Sequence, residues 1–87
     1  MNEQNELVVV DGNKIELTIN SKVYPEEIID KAVENYSDVC EIEDRKNEQI
    51  HKIILKPKQL FDSKEDLETI GYEFMNYLLY LIKNKVL

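Results

Sequence analysis

From Leu67 onward, apolar residues return in steps of three and four, at Leu67, Ile70, Phe74, Tyr77 and Leu81. That spacing draws a seam down one side of a helix. Ser63 is followed three residues later by Asp66, a capping-box-like start, and Glu65, Asp66 and Glu68 put negative charge at the positive end of the helix dipole. A helix is predicted over Ser63 to Val86. In its second half Met75, Leu78, Leu79, Tyr80 and Ile82 extend the apolar surface around most of the circumference, leaving Asn76 as the clear polar interruption between Phe74 and Ile82. A helix apolar nearly all round is buried nearly all round.

Upstream the period changes to two. Leu7-Val8-Val9-Val10 and Lys14-Ile15-Glu16-Leu17-Thr18-Ile19 flank Asp11-Gly12-Asn13, and β-branched runs on either side of an Asp-Gly turn predict a β-hairpin. Ile15, Leu17 and Ile19 fall on one face of its second strand and Lys14, Glu16 and Thr18 on the other, so one face is buried and the other wet. Pro25 suits the first position of a helix, Glu26 and Glu27 suit its first turn, and Ile28, Ile29, Ala32, Val33 and Tyr36 form its apolar stripe. A second hairpin is expected from Val39–Glu43 and Gln49–Lys56, turning over the polar run Asp44 to Glu48. Its outgoing strand, Ile50-His51-Lys52-Ile53-Ile54-Leu55, does not alternate cleanly, which leaves open a strand buried on both faces or a bulge. Pro57 ends it, because proline cannot donate to the ladder.

The resulting order, ββαββα, predicts an α+β two-layer sandwich: a four-stranded, mainly antiparallel sheet with both helices on one face. A winged-helix arrangement would need a third helix, and neither loop is long enough to hide one. The 87 residues make a single domain, 1–87, whose first five are expected to fray. With 43% hydrophobic and 33% charged residues the chain should fold, since disordered chains carry far less apolar content. A domain of this size hides only about 60 to 70% of the surface its unfolded chain exposes. The excess apolar face of the last helix therefore calls for a partner.

Charge and chemistry narrow the function classes. A formal charge of −7 repels phosphate backbones and disfavours nucleic acid, while a basic partner would be welcomed. A membrane span needs roughly 20 mostly apolar residues, whereas Glu73 and Lys83 bracket a much shorter run. The start of the chain lacks the basic and apolar regions of a signal peptide, so a cytoplasmic location is expected. Cys40 and His51 are the single cysteine and histidine, with no paired spacing for a zinc site, so no metal and no cofactor is expected. If pairing of the two strands brings Cys40 to His51, they make the minimum for a small enzyme with a cysteine nucleophile, although no third orienting group can be named. The plainer reading makes Cys40 a small buried hydrophobe beside a half-exposed His51. Gly71, inside the last helix, costs about 1 kcal/mol relative to alanine, which close packing against a strand or helix would explain.

No catalytic residue is expected, and recognition of a protein or peptide is the leading function. Met75, Leu79, Tyr80 and Tyr72 are the candidate contacts, because tyrosine brings a polar tip to an apolar surface. A free sheet edge offers a second mode, pairing with an extended peptide. Self-association into a homo-oligomer is the other use of such a surface.

The segment Ile15-x-Leu17, then Val23-Tyr24-Pro25-x-x-x-Ile29-x-Lys31-Ala32, then Asp38-Val39-Cys40, then Phe74-Met75-Asn76-Tyr77-Leu78-Leu79, resembles the HxsD-like proteins of His-Xaa-Ser peptide maturation systems. The resemblance runs from about Ile15 to Ile82. It implies an accessory protein that assists a radical SAM maturase of ribosomally made peptides by binding the maturase, the precursor peptide or both, and it supplies no catalytic residues. The chain departs from the family after Leu79, where the family closes with an arginine-containing tail and this sequence reads Tyr80-Leu81-Ile82-Lys83-Asn84-Lys85-Val86-Leu87.

Overall fold

The computed structural model describes residues 6–47 and 49–84, with the expected frayed start and the last residues of the expected final helix lying outside them. The elements follow the order expected: β1 (Glu6–Asp11), β2 (Lys14–Asn20), α1 (Glu26–Tyr36), β3 (Cys40–Lys46), β4 (Ile50–Pro57) and α2 (Lys64–Asn84). The strands form one open antiparallel sheet in the order β1-β2-β4-β3. Because β2 and β3 each run antiparallel to β4 between them, they are parallel to one another and are joined through α1, a split β-α-β unit. Among the described residues this topology leaves β3 on one free edge and β1 on the other.

The first hairpin turns one residue later than Asp11-Gly12 suggests. Asp11 pairs with Lys14, so Gly12 and Asn13 are the loop, and Gly12 adopts a φ of 63°. Two-residue hairpin loops want a positive φ at a central position, and glycine takes it without a Cβ penalty. In β2 the alternation is borne out, with Ile15, Leu17 and Ile19 buried completely. Pro25 is the residue before α1 rather than its first, and its carbonyl accepts hydrogen bonds from the Ile28 and Ile29 amides.

The second hairpin is longer than the polarity of Asp44 to Lys46 implies. β3 continues to Lys46, because its three last side chains can be polar at a sheet edge without cost. Val39 lies just before the strand and is exposed. β4 runs in unbroken register against both neighbours, so both of its faces are partly buried and there is no bulge. His51, Ile53, Leu55 and Pro57 take the inner face, and Ile54 is buried on the outer one, flanked by Glu16 and Glu43 on the adjoining strands.

Ser63 caps α2, its Oγ accepting from the Glu65 amide at 3.0 Å and the Asp66 amide at 3.4 Å. The helix buries Leu67, Gly71, Phe74, Met75, Leu78 and Leu81 in the core shared with β2, β4 and α1. Gly71 is the closest approach. A Cβ built there would stand 2.8 Å from a Val8 methyl and 2.9 Å from an Ile15 methyl. The glycine therefore lets α2 settle on the β1–β2 hairpin, which offsets its helix cost.

Candidate functional site

α2 has a second side that the core does not use. Tyr72, Leu79 and Tyr80 are 56%, 44% and 54% exposed. Seven and eight residues are close to two helical turns, so these side chains share one face, with exposed Asn76 and Lys83 among them. Met75 does not belong to this surface. It is only 7% exposed, because the buried side of α2 runs through Gly71, Phe74, Met75 and Leu78. The expected contact set is thereby reduced to Tyr72, Leu79 and Tyr80.

Tyr80 is held in place by a chain of rings that starts inside. Phe74 meets Tyr36 edge to face at 5.0 Å, Tyr36 lies 6.0 Å from Tyr77, and Tyr77 stacks on Tyr80 at 6.1 Å. The Tyr77 hydroxyl accepts from the Asn35 side-chain amide at 2.8 Å, fastening α1 to α2. Such ring pairs contribute about 0.5 to 1.5 kcal/mol beyond area burial. An exposed aromatic fixed this way loses little side-chain entropy when something covers it.

On the far side of this ring chain a cleft of about 500 Å³ opens where α1 ends and β3 begins, lined by Tyr36, Val39, Cys40, Pro57, Phe61 and Ile70, with Asp38, Lys58 and Glu73 also contributing. Burial pushes the Cys40 thiol up from its ordinary value, and Lys58 pulls weakly the other way. The Tyr36 hydroxyl is also pushed up, first by burial and then by the Glu73 carboxylate. Only the thiolate is nucleophilic, so Cys40 behaves here as a small apolar wall.

The register separates Cys40 from His51. Cys40 sits opposite Pro57 and His51 opposite Lys46. At about 3.3 Å per residue, the six steps from His51 to Pro57 span roughly 20 Å. A Cys40–His51 nucleophile is therefore ruled out. Nor is His51 half-exposed: it is buried at the other end of the hairpin, where its Nδ1 lies 3.1 Å from Asp44 Oδ1. Asp44 is its diagonal neighbour across β3 and β4, a relation that appears only once the register is known. Ser21 and His51 line a shallow cleft with Glu26, Lys46 and Asn47, and an ion pair joins Lys46 to Glu26. These are residue types of a hydrolytic triad, but the buried Ser21 Oγ has no hydrogen-bond partner among the described residues. Serine and imidazole are thus not connected, and nucleophilic chemistry needs that link.

Among the described residues no group of three or more histidine, cysteine or acidic side chains is placed to hold a metal ion, and no helix is long and apolar enough to cross a membrane. No family model, curated protein or solved structure matches the chain.

Proposed function

We propose that this protein is a non-catalytic interaction factor that assists a radical SAM maturase of a ribosomally made peptide by binding the maturase, the precursor peptide or both. One observation carries the docking role: the outward face of α2 presents Tyr72, Leu79 and Tyr80 although the core is already closed without them. Two tyrosines on a rigid helix, beside an apolar leucine, have the aromatic character of an interface centre. The biological setting comes from the HxsD-like pattern of Val23-Tyr24-Pro25 and Phe74-Met75-Asn76-Tyr77-Leu78-Leu79.

The test is co-expression with a radical SAM maturase of a His-Xaa-Ser system, followed by light scattering and calorimetry. A Leu79→Lys, Tyr80→Lys double variant should weaken the complex at least tenfold while its stability falls by no more than the lost Tyr77–Tyr80 stacking, about 0.5 to 1.5 kcal/mol. A protein that remains monomeric and binds neither maturase nor precursor peptide would overturn the proposal. Self-association abolished by the same double variant would reassign the face to a homo-oligomer.

A further inference from the structure

Which backbone groups of β3 are free follows from three hydrogen bonds. The Lys58 amide donates to the Val39 carbonyl and the Asn47 amide to the Ile50 carbonyl, both pairs continuing the β3–β4 register. Antiparallel ladders bond alternate residue pairs. Glu41, Glu43 and Arg45 therefore spend their backbone groups on β4, and Cys40, Ile42, Asp44 and Lys46 turn theirs to the open edge. The Ser21 amide, donating to the Gln49 carbonyl, fixes the complementary phase on the β2 side of β4. The two ends of this edge differ. At one end Lys46 is tied to Glu26 and Asp44 to His51, so inward-facing charges guard it. At the other, Cys40 opens onto the apolar cleft beside Tyr36 and Phe61.

We infer that the Cys40–Asp44 stretch of β3 accepts an extended peptide as a fifth strand, one that alternates apolar residues with lysine or arginine. Residues of the guest opposite Cys40 and Ile42 would lie on the helix side, where the cleft receives an apolar side chain. The intervening residues would lie on the outer side beside Glu41 and Glu43, which line one indentation there with Ile42 and Lys56, Glu43 also pairing with Arg45. Opposite charges across such a pair stabilise it and like charges oppose it. A second copy of this chain fits badly for that reason. Pairing the Cys40–Asp44 stretch with itself over its full length, antiparallel and through its free backbone groups, sets Glu41 against Glu43 twice. A cationic guest avoids the repulsion, in keeping with the formal charge of −7.

The inference rests on the interaction role proposed above but uses a different surface, so the two can fail separately. The probe is a blocked synthetic peptide of alternating lysine and isoleucine, with a glutamate and isoleucine version as its opposite. The basic peptide should bind at least tenfold more tightly, and hydrogen exchange should slow at the Cys40, Ile42 and Asp44 amides. Methylating the guest's backbone nitrogens on its bonding side should abolish binding, as should Ile42→Pro, which removes an outward N–H and leaves the β4 ladder intact. The methylated peptide keeps the test decisive if that variant fails to fold. Leu79→Lys should leave peptide binding unchanged. Equal binding of both peptides, indifference to methylation, or protection elsewhere would overturn the inference. So would slowed exchange at these amides that depends on protein concentration without peptide, because a second copy would then be the guest. Absence of peptide binding with maturase binding retained would sink the edge site alone.

Discussion

The two sides of α2 are built from the same kinds of residue and meet opposite fates. Met75 and Leu78 lie in the core, whereas Leu79 and Tyr80, one step further round the helix, lie in solvent. What decides between them is the sheet beneath, since α2 rests where Gly71 permits contact with Val8 and Ile15. Leu67, Phe74, Met75 and Leu78 on the Gly71 side are drawn inward, and Tyr72, Leu79 and Tyr80 are left exposed. Composition fixed the amount of apolar surface, and a single glycine fixed its phase.

The strongest way to break this contrast is to place the same charge on both sides. Met75→Glu buries a carboxylate among apolar neighbours and should cost on the order of 3 kcal/mol or more, read as a lowered denaturant midpoint in urea unfolding. An unchanged midpoint would mean that Met75 turns outward and that the two sides are not distinct. Next in size is Gly71→Ala. Its methyl meets two stiff β-branched side chains, an overpacking of about 1 to 3 kcal/mol set against about 1 kcal/mol of helix propensity gained. A net loss of up to about 2 kcal/mol is expected, and a gain would show that Val8 and Ile15 yield.

That contrast also marks where sequence reasoning stopped. The buried face of β2 was legible because a period of two admits only two phases, and Ile15, Leu17 and Ile19 could hardly lie elsewhere. For α2 the expected seam holds at Leu67, Phe74 and Leu81, with Ile70 and Tyr77 partly buried beside it, and the buried stripe widens toward Gly71, Met75 and Leu78. With apolar residues nearly all round, the pattern supplies no polar side to fix the phase. Gly71 was the available signal, as a glycine inside a helix asks for a close neighbour on its own face. The separation of Cys40 from His51, the Asp44 contact and the free edge of β3 all depend on strand order and register. Local sequence says that strands exist before it says which of them lies at the edge.

The cleft between α2 and β3 adds a smaller effect that depends on pH. Burial raises the Cys40 thiol above its ordinary 9.0 and, together with Glu73, raises Tyr36 above 10.0. Between the ordinary and raised values the unfolded chain has lost protons that the native state keeps. Stability is then full below pH 9.0 and falls as pH rises through the raised values. Unfolding free energy measured at increasing alkalinity should decline in wild type and decline less steeply in Cys40→Ala. Parallel slopes would show that the thiol is not shielded.

The smallest expected change is the most informative for the uncovered side. Leu79→Lys replaces a side chain that already meets water and adds a cation toward the C-terminal end of α2, so stability should stay within about 0.5 kcal/mol of wild type. Loss of maturase binding in that variant, with an unchanged melting curve, separates docking from folding on one helix. If Leu79→Lys instead unfolds the protein as Met75→Glu should, the outward residues are part of the core and the surface assigned to docking does not exist.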